Sequence, residues 1–186
     1  MEPIILASAS PRRAALLRQI GIPFYVKAAT YQEPDIKDLE MVEGIALEKA
    51  REIAGGHPGT IVLGADTAVS CGGRFLGKPK DPEEAAEMLR ALSGREHLVA
   101  TGIALMWEGR VLTDREDTRV WLRDLDEEEI AGYVASGEQE DKAGAYGIQG
   151  KAAVFVERME GCYFNVVGLP LALLVQTLKK WGVSIW

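Results

Sequence analysis

Short apolar runs alternate with amphipathic stretches through the first part of the chain, and this pattern predicts strands that alternate with helices. Ser10, Pro11 and Gly21 are typical of the cap, the first turn and the end of a helix. A glycine pair follows the next helical stretch. The pattern predicts strands at residues 3–7, 24–28 and 60–71, and helices at residues 11–21 and 38–54.

Longer apolar segments in the middle of the chain predict strands that follow one another directly. Residues 97–107 and 111–122 flank a short polar turn, which is typical of a hairpin. Gly72 and Gly73 form a second turn signal, and a loop is predicted after it at residues 75–79. The remaining prediction is helices at residues 81–92, 126–135 and 169–180, strands at 152–159 and 183–185, and irregular segments at 137–150 and 162–168.

The order of these elements predicts an α/β fold with a mixed sheet and flanking helices. Adjacent antiparallel strands in the middle of the chain argue against a purely parallel sheet. The chain has 186 residues, a length that suits one domain, and no internal repeat or linker divides it. We therefore expect a single domain over residues 1–186.

The net charge of −7 argues against a nucleic-acid or anionic-membrane surface. Cys71 and Cys162 are too few for a disulfide framework, which favours a reducing compartment. Only His57 and His97 are histidines, so a metal would sit on carboxylates, as Mg²⁺ or Mn²⁺ does. No signal peptide is recognisable and residues 166–175 are too short to span a bilayer, so we expect a cytoplasmic location.

Several residues with functional chemistry are better explained by packing. The cysteines have no CxxC pattern and no histidine partner, so we expect inert buried thiols. His97 lies in a predicted strand and is expected to pack in the core. The tryptophans are too dispersed for a base-stacking platform and indicate core or dimer surface; they are Trp107, Trp121, Trp181 and Trp186.

The turn at residues 8–13 places two arginines where a helix begins. Arg12 and Arg13 fall in the first helical turn, where the helix dipole disfavours cations and free N–H groups favour anions. Ser8 adds a hydroxyl donor, and arginine offers a planar fork for phosphate or carboxylate. Two interpretations remain equally open: a bound anion, or a capped helix with two solvated arginines.

Asp66 follows an apolar run within the motif Gly64-Ala65-Asp66-Thr67. A carboxylate is costly to bury without a partner. Such a group is usually a metal ligand, a general base or one half of an ion pair. The motif alone leaves a catalytic acid and a structural ion pair as alternatives.

Three scattered charged residues and one glycine-rich segment complete the candidate chemistry. Glu33 lies in a loop, Lys49 on a predicted helix, and Lys78 between Gly77 and Pro79, and together they supply what phosphoryl chemistry requires. Each one alone is equally well a solvated side chain. Gln149 could read a base edge from residues 141–150, where three glycines would let the backbone approach a ligand. A tight structural loop is the alternative there, and the segment is not a P-loop.

These segments occur in a fixed order along the chain. The motifs are Ser8-x-Ser10-Pro11-Arg12-Arg13, Glu33, Glu48-Lys49-Ala50, Gly64-Ala65-Asp66-Thr67, Gly77-Lys78-Pro79, Lys142-Ala143-Gly144-Ala145-Tyr146-Gly147-Ile148-Gln149-Gly150 and Asn165-Val166-Val167-Gly168-Leu169-Pro170. In this order they resemble the Maf family of nucleoside triphosphate pyrophosphatases over essentially the whole chain. The resemblance implies a fold like that of the inosine-triphosphate pyrophosphatases, with an elongated mixed sheet and a cleft between two lobes.

The resemblance also implies an activity: hydrolysis between the α- and β-phosphates of a nucleoside triphosphate, with a divalent cation and often as a homodimer. Asp66 matches the family's catalytic acid, which accepts a proton. Arg12, Thr67 and Gln149 match positions that separate subfamilies by base, and here they resemble the dTTP/UTP branch. Ser8, Arg13, Glu33, Lys49 and Lys78 match the remaining cleft residues.

One position departs from the family pattern. Gln32 stands where many relatives have a second acid before Glu33, which leaves the number of metal-binding carboxylates in this loop open. Our hypothesis is that Glu33 and Asp66 hold Mg²⁺ or Mn²⁺ while water attacks a nucleotide phosphorus. Arg13, Lys49, Lys78 and the helix N-terminus would bind the triphosphate.

Two rival functions remain at this stage. The first is a nucleotide-binding regulator of septum formation and cell division without significant turnover. The second is an enzyme that clears modified nucleotides, for which dTTP and UTP are incidental substrates. All three hypotheses share a nucleoside triphosphate partner and exclude nucleic acid and membrane partners.

Overall fold

The structure is a computed structural model and describes residues 1–185. Within this range seven strands form one mixed sheet. The strands are β1 (Ile4–Leu6), β2 (Phe24–Val26), β3 (Val62–Cys71), β4 (Arg74–Leu76), β5 (Glu96–Trp107), β6 (Arg110–Leu122) and β7 (Val156–Glu160). The α-helices are α1 (Pro11–Gln19), α2 (Met41–Ala54), α3 (Pro82–Leu92), α4 (Glu127–Ala135), α5 (Tyr163–Val167) and α6 (Leu171–Lys179).

The sheet combines a short parallel part with a long antiparallel part. Its strand order is β2-β1-β3-β5-β6-β7, and β4 pairs with β3 beside this path. Strand β1 is parallel to β2 and to β3, whereas the pairs β3–β5, β5–β6 and β6–β7 are antiparallel. The predicted α/β fold with a mixed sheet and flanking helices is confirmed.

Alternating side chains give the two faces of the sheet different partners. Ile4 and Leu6 of β1 pack in the cluster that contains α1 and α6, and Ile5 packs in a cluster with α2 on the other face. In β3, Leu63 and Ala65 belong to the α1 and α6 cluster. The same alternation continues along β3, so that successive residues of this strand face α2 and α1 in turn.

Helix α2 lies unusually close to the sheet because two strand residues are glycines. A Cβ atom on Gly64 of β3 would come within 2.0 Å of the carbonyl oxygen of Ala46, and one on Gly102 of β5 would come within 2.5 Å of the backbone of Val42. Side chains at these two positions would therefore hold the helix away from the strands. The close approach brings Lys49 of α2 over β3.

A third cluster of buried residues occupies the other end of the sheet. It joins α3 and α4 to the ends of the long strands, and it includes Tyr146 and Phe155. Between this cluster and the one around α1 lies the large cavity described below, whose walls include residues 8–13 and residues 141–143. In the described part of the chain no helix is long and apolar enough to cross a membrane.

Four predicted segments differ from the structure. Residues 74–76 form β4 instead of the start of a loop, and residues 163–167 form α5 instead of an irregular segment. Residues 151–155 form a 3₁₀ turn, and the predicted strand begins only at Val156. The turn buries Ala152 and Phe155, three positions apart, which is the repeat of a 3₁₀ helix.

The predicted edge strand at residues 183–185 does not form. The backbone N–H of Val183 donates to the carbonyl oxygen of Leu178, so this segment closes α6 instead of pairing with the sheet. Val183 and Ile185 pack against the cluster around α1 and α6, which explains their apolar character. Trp186, which the sequence assigned to core or dimer surface, lies outside the described residues.

Candidate active site

One cavity of about 970 Å³ is lined by all nine side chains that the sequence analysis singled out. They come from six segments that are far apart in the sequence. These residues are Ser8, Arg12, Arg13, Glu33, Lys49, Asp66, Thr67, Lys78 and Gln149. A shared cavity is what the hypothesis of a phosphate-binding cleft requires. The nine residues are therefore not scattered over unrelated parts of the surface.

Strand β3 supplies two neighbouring side chains on opposite faces. Thr67 continues the alternation of Leu63 and Ala65 and faces α1, where it contacts Arg13. Asp66 faces α2, where it contacts Lys49. One strand thus fixes a hydroxyl on one side of the sheet and a carboxylate on the other.

Lys49 connects the two candidate metal ligands. Its Nζ lies 2.6 Å from Oε1 of Glu33 and 2.7 Å from Oδ1 of Asp66. The side chains of Lys49 and Asp66 are only 9% and 8% exposed, whereas that of Glu33 is 40% exposed. Asp66 is therefore a buried acid with a partner, as the cost of burying an isolated carboxylate demands.

The charges around Glu33 favour its ionised form. Partial burial acts against ionisation, but the hydrogen bond from Lys49 and the positive charges of Lys49, Lys78 and Arg13 hold the pKa of Glu33 below its ordinary value. Glu33 therefore carries a negative charge at neutral pH at the edge of the cavity. This charge and that of Asp66 share the single ammonium group of Lys49.

Arg13 is buried and fixed by three hydrogen bonds. Its Nε donates to the carbonyl oxygen of Gly168 at 2.8 Å, one terminal nitrogen donates to Ser8 Oγ at 3.0 Å, and the other donates to Thr67 Oγ1 at 3.0 Å. Burial lowers the pKa of the Arg13 guanidinium from its ordinary value. The negative charge of Asp66 raises this pKa, but by less than burial lowers it. Of the two interpretations that the sequence left open, a solvated side chain therefore does not hold for Arg13.

The hydrogen bonds at Ser8 leave its proton available. Ser8 Oγ accepts from Arg13 and, at 3.3 Å, from the backbone N–H of Ser10. A hydroxyl has two acceptor positions and one donor, so the O–H of Ser8 can donate into the cavity that it lines. Ser10 sits at the N-cap of α1 but makes no side-chain cap, which leaves the first N–H groups of this helix uncapped.

Arg12 contacts an acid that the sequence analysis did not single out. It donates to Oδ2 of Asp141 at 2.8 Å and to the carbonyl oxygen of the same residue at 3.3 Å. Asp141 also binds Lys142 at 2.7 Å, and although burial opposes ionisation, these two cations hold the pKa of Asp141 below its ordinary value. The anion that pairs with Arg12 at the start of α1 is therefore a carboxylate of the protein itself, that of Asp141.

Lys78 and Gln149 line the cavity with side chains that make no ion pair or side-chain hydrogen bond to residues 1–185. The backbone N–H of Gly144 donates to the carbonyl oxygen of Gly77 at 3.0 Å, so the two segments that carry them are joined. Both groups are free to meet a ligand without first breaking a contact within the protein. Lys78 supplies a point charge and Gln149 an amide that can both donate and accept.

The glycines at 144, 147 and 150 make room for side chains of the protein itself. A Cβ atom would meet Val69 at 3.2 Å from Gly144, Lys142 at 2.6 Å from Gly147 and the carboxylate of Glu138 at 2.1 Å from Gly150. Gly144 also has a φ of +71°, which favours glycine. The spacing thus reflects tight packing of the loop, which is the structural alternative that the sequence left open.

Glu33 and Asp66 are the two acids in this cavity that share a contact with Lys49, and carboxylate oxygens fit a divalent cation. The other acids of the lining are Asp35, Glu138 and Asp141. No group of three or more His, Cys, Asp or Glu side chains suited to a metal occurs among residues 1–185. Mg²⁺, however, is commonly held by one or two carboxylates together with substrate phosphates and water. Glu33 and Asp66 contact the same lysine nitrogen, which places their carboxylates next to each other in the cavity.

The residues that the sequence assigned to packing do not line the cavity. Cys71 is buried and burial raises the pKa of its thiol, whereas Cys162 is half-buried. His97 is buried and its Nε2 lies 2.7 Å from the hydroxyl of Tyr146, which confirms its place in the core. Trp107 and Trp181 pack against each other with ring centroids 6.0 Å apart.

Two buried residues beneath the cavity were not predicted to matter. Thr101 of β5 contacts Thr67, and Asn165 of α5 contacts Thr101 through its carbonyl oxygen. Asn165 belongs to a motif that carried the family resemblance but had no assigned role. The sequence gives no pattern that would connect Thr101 or Asn165 to Arg13, because a threonine in an apolar strand and a single asparagine are both common in packed cores.

The chain matches a family model described as Maf-like protein over residues 3–181. It is 50% identical to a dTTP/UTP pyrophosphatase of Pelotomaculum thermopropionicum, with all of both chains covered. It is 50% identical to a protein of the same name from Symbiobacterium thermophilum, covering all of this chain and 97% of that one. A protein of the same name from Methanosarcina mazei is 46% identical over all of this chain and 98% of its own length.

Among solved structures, the Staphylococcus aureus Ham1 protein resembles this chain with a TM-score of 0.42 and 16% identity. That match covers 66% of this chain and 73% of the other, and the assignment does not rest on it. The family match spans both walls of the cavity and each of the nine residues that line it together. By this match and by the full-length relatives, the chain belongs to the Maf family.

Proposed function

We propose that this protein hydrolyses dTTP and UTP to the nucleoside monophosphate and pyrophosphate. The relatives that share about half of its residues over their full length carry that activity in their names. The single observation that carries the proposal is the cluster in which Lys49 joins Glu33 to Asp66 inside a cavity lined by further cations. This arrangement offers a carboxylate pair for a cation and positive charge for phosphates.

The cations around the cavity are proposed to bind the triphosphate. Lys78 makes no ion pair or side-chain hydrogen bond to residues 1–185, and Lys49 lines the same cavity from α2. Arg13 keeps two of its five N–H groups after its three hydrogen bonds to the protein, and Ser8 keeps its O–H. The uncapped start of α1 adds backbone N–H groups to this set of donors.

Asp66 is proposed to accept the proton of the attacking water. Its Oδ1 is occupied by Lys49, while no hydrogen bond within residues 1–185 engages its Oδ2. In the reaction, the water oxygen forms a bond to the α-phosphorus, and the bond from that phosphorus to the bridging oxygen breaks. The proton passes to Asp66 and pyrophosphate leaves with the electron pair of the broken bond.

Glu33 and Asp66 are proposed to hold Mg²⁺ or Mn²⁺ together with the substrate. A divalent cation supplies charge neutralisation of the phosphate oxygens in such reactions. Lys49 would fix the two carboxylates relative to each other, since it contacts both in the structure. Gln32 contributes no acid to this loop, so Glu33 is the one carboxylate that the segment Tyr31-Gln32-Glu33 provides.

The base is proposed to be selected by Arg12, Thr67 and Gln149, the positions at which the family resemblance separates subfamilies. The amide of Gln149 is free to pair with a base edge, which supports this part of the proposal. The names of the relatives favour turnover over a regulator that only binds nucleotides. A homodimer and a cytoplasmic location stay predictions from the sequence.

The proposal is tested by replacing the proposed proton acceptor. Asp66→Asn keeps the size of the side chain and its position over Lys49 but removes most of its basicity. We expect pyrophosphate release from dTTP to fall by at least about 100-fold while the affinity for nucleotide is retained. Asp117→Asn is the matched control, because Asp117 pairs with Arg115 on β6 and does not line the cavity.

Three outcomes separate the hypotheses. Full activity of Asp66→Asn would remove Asp66 from the chemistry. Tight nucleotide binding by the wild-type protein without pyrophosphate release would favour the regulator. Faster release from modified pyrimidine triphosphates than from dTTP or UTP would favour the enzyme that clears modified nucleotides.

A further inference from the structure

Thr101 lies directly behind the cavity and carries a hydroxyl that no part of the proposed mechanism uses. It is fully buried in β5, in register with Thr67 of β3. Its Oγ1 lies 2.9 Å from Thr67 Oγ1 and 2.9 Å from the carbonyl oxygen of Asn165. Thr101 therefore links α5 to the side chain of Thr67 and, through it, to Arg13.

The chemistry of these groups fixes the direction of every hydrogen bond in the chain of contacts. A backbone carbonyl can only accept, so Thr101 must donate its single proton to Asn165. Thr101 then has only lone pairs to offer, and Thr67 must donate its own proton to Thr101. Thr67 is left as a pure acceptor, which is the role that the guanidinium of Arg13 requires of it.

We propose that Thr101 is a positioning residue for phosphate binding: by taking the proton of Thr67, it turns that hydroxyl into a fixed acceptor that orients Arg13. This inference rests on the proposed function for its kinetic consequence. Thr101 itself is fully buried and touches no substrate. Without the acceptor at Thr101, the hydroxyl of Thr67 can rotate and point its proton at Arg13, which destroys their hydrogen bond.

The side chain of Asn165 makes two hydrogen bonds, and these hold in place its backbone carbonyl, which accepts from Thr101. The side-chain amide of Asn165 donates to the carbonyl oxygen of Val99 and to Thr118 Oγ1, both at 2.9 Å. The last turn of the same segment supplies the carbonyl of Gly168, which accepts from Arg13 Nε at 2.8 Å. Helix α5 and the residue that follows it thus hold Arg13 in two ways. Gly168 accepts directly from Arg13, and Asn165 acts on Arg13 through Thr101 and Thr67.

Three variants separate this role from a general packing effect. Thr101→Val keeps the shape of the side chain and removes the hydroxyl, and Thr101→Ser restores it. Thr177→Val is the matched control, because Thr177 is an equally buried threonine whose hydroxyl donates within α6, to the carbonyl oxygen of Leu173. A general cost of replacing a buried threonine with valine predicts equal losses in Thr101→Val and Thr177→Val.

The kinetic readout is pyrophosphate release from dTTP by the full chain. We expect Thr101→Val to lower kcat/KM by about 10- to 100-fold, as misplacement of a binding group does. Thr101→Ser should recover most of this loss, and Thr177→Val should stay within about threefold of the wild type. The double variant Thr67→Val with Thr101→Val should be no slower than Thr67→Val alone, because the two residues act as one unit.

The second readout does not depend on turnover. The ¹⁵N–¹H signals of the Arg13 guanidinium, assigned by their loss in Arg13→Lys, report how firmly this group is held. We expect slow rotation and protected protons in the wild type and in Thr177→Val, and fast rotation in Thr101→Val. If the wild type fails to release pyrophosphate but these signals behave as expected, the proposed function fails while the positioning role of Thr101 stands.

Either of two results overturns the inference. One is an Arg13 spectrum that is the same in Thr101→Val and Thr177→Val. The other, in an active enzyme, is a loss of kcat/KM in Thr101→Val that equals the loss in Thr177→Val or that adds fully to the loss in Thr67→Val.

Discussion

Lys49 pairs with two carboxylates at once, so its charge matters for stability as well as for chemistry. Asp66 is almost fully buried and has Lys49 as its cationic partner at 2.7 Å. Lys49→Met would leave this carboxylate buried without a partner, which costs far more than the loss of an exposed ion pair. We expect a loss of about 3 kcal/mol in the free energy of unfolding, measured by urea denaturation at neutral pH.

Helix α2 provides a matched control for this change. Arg51 lies two positions further along the same helix and pairs with Glu48 at the surface. Arg51→Met should cost less than about 1 kcal/mol. The combination of Lys49→Met with Asp66→Asn should recover part of the loss. Equal costs for Lys49→Met and Arg51→Met would show that the buried charge of Asp66 does not depend on Lys49.

His97 adds a pH dependence that is independent of the active site. Burial lowers the pKa of His97 from 6.5 to about 4. Between these values the unfolded chain binds a proton that the folded protein does not, so stability falls as the pH falls from 6.5 to 4. The contribution amounts to about 3 kcal/mol across this window.

The measurement is urea denaturation of the wild type and His97→Gln between pH 4 and pH 7. Glutamine can keep a hydrogen bond to Tyr146 but cannot titrate, so the variant should lose less stability than the wild type as the pH is lowered. Carboxylates contribute equally to both proteins and cancel in the difference. Parallel stability curves for the two proteins would show that His97 titrates alike in the folded and unfolded chain.

At the scale of single residues, the sequence predicts which side chains surround the cavity but not what each one contacts. Arg12 and Asp141 are 129 positions apart, and Arg13 and Gly168 are 155 positions apart. No local pattern reports such pairs. The sequence could therefore suggest an anion beside Arg12 without showing that Asp141 provides it.

At the scale of elements, the decisive feature of the site is how closely α2 approaches the sheet. Gly64→Ala would place a Cβ atom 2.0 Å from the carbonyl oxygen of Ala46, so the helix must move away from β3. We expect a loss of about 3 kcal/mol in the free energy of unfolding and slower turnover, because Lys49 moves with the helix. Thermal or urea denaturation and pyrophosphate release measure the two effects.

A glycine within α2 itself provides the control. A Cβ atom on Gly44 would have no neighbour within 4 Å, so Gly44→Ala should raise stability by up to about 1 kcal/mol through the better helix propensity of alanine. Activity should not change, since Gly44 does not line the cavity. A Gly64→Ala protein as stable and as active as Gly44→Ala would contradict the role of close packing.

Elements were predictable where they are long or capped, or where, as in β1 and β2, the whole element is a continuous apolar run. Asp81 caps α3 with a 2.8 Å hydrogen bond from the N–H of Glu84, and Asp126 opens α4 with a complete capping box. Strand β4 has three residues and α5 has five, which is too short for a periodic pattern. The apolar residues 183–185 were mistaken for a strand because apolar character alone does not distinguish pairing from packing.

At the scale of the whole molecule, one cavity gathers charges of both signs. The chain carries a net charge of −7, yet cations line this space as often as acids do. The cations are Arg12, Arg13, Lys49, Lys78 and Lys142, and the acids are Glu33, Asp35, Asp66, Glu138 and Asp141. The mixed sheet brings together the end of β1, the middle of β3 and the start of α1, which places acids and bases from distant segments side by side. Composition could exclude a nucleic-acid surface, but it could not reveal this local concentration of charge.

The central claim is that this cavity cleaves a nucleoside triphosphate between its α- and β-phosphates. The direct measurement is product analysis after the protein is incubated with Mg²⁺ and dTTP, UTP, dCTP or a purine triphosphate. We predict monophosphate and pyrophosphate in equal amounts, formed fastest from dTTP and UTP and abolished when the cation is chelated. The absence of pyrophosphate, or the formation of diphosphate and inorganic phosphate, would contradict the claim.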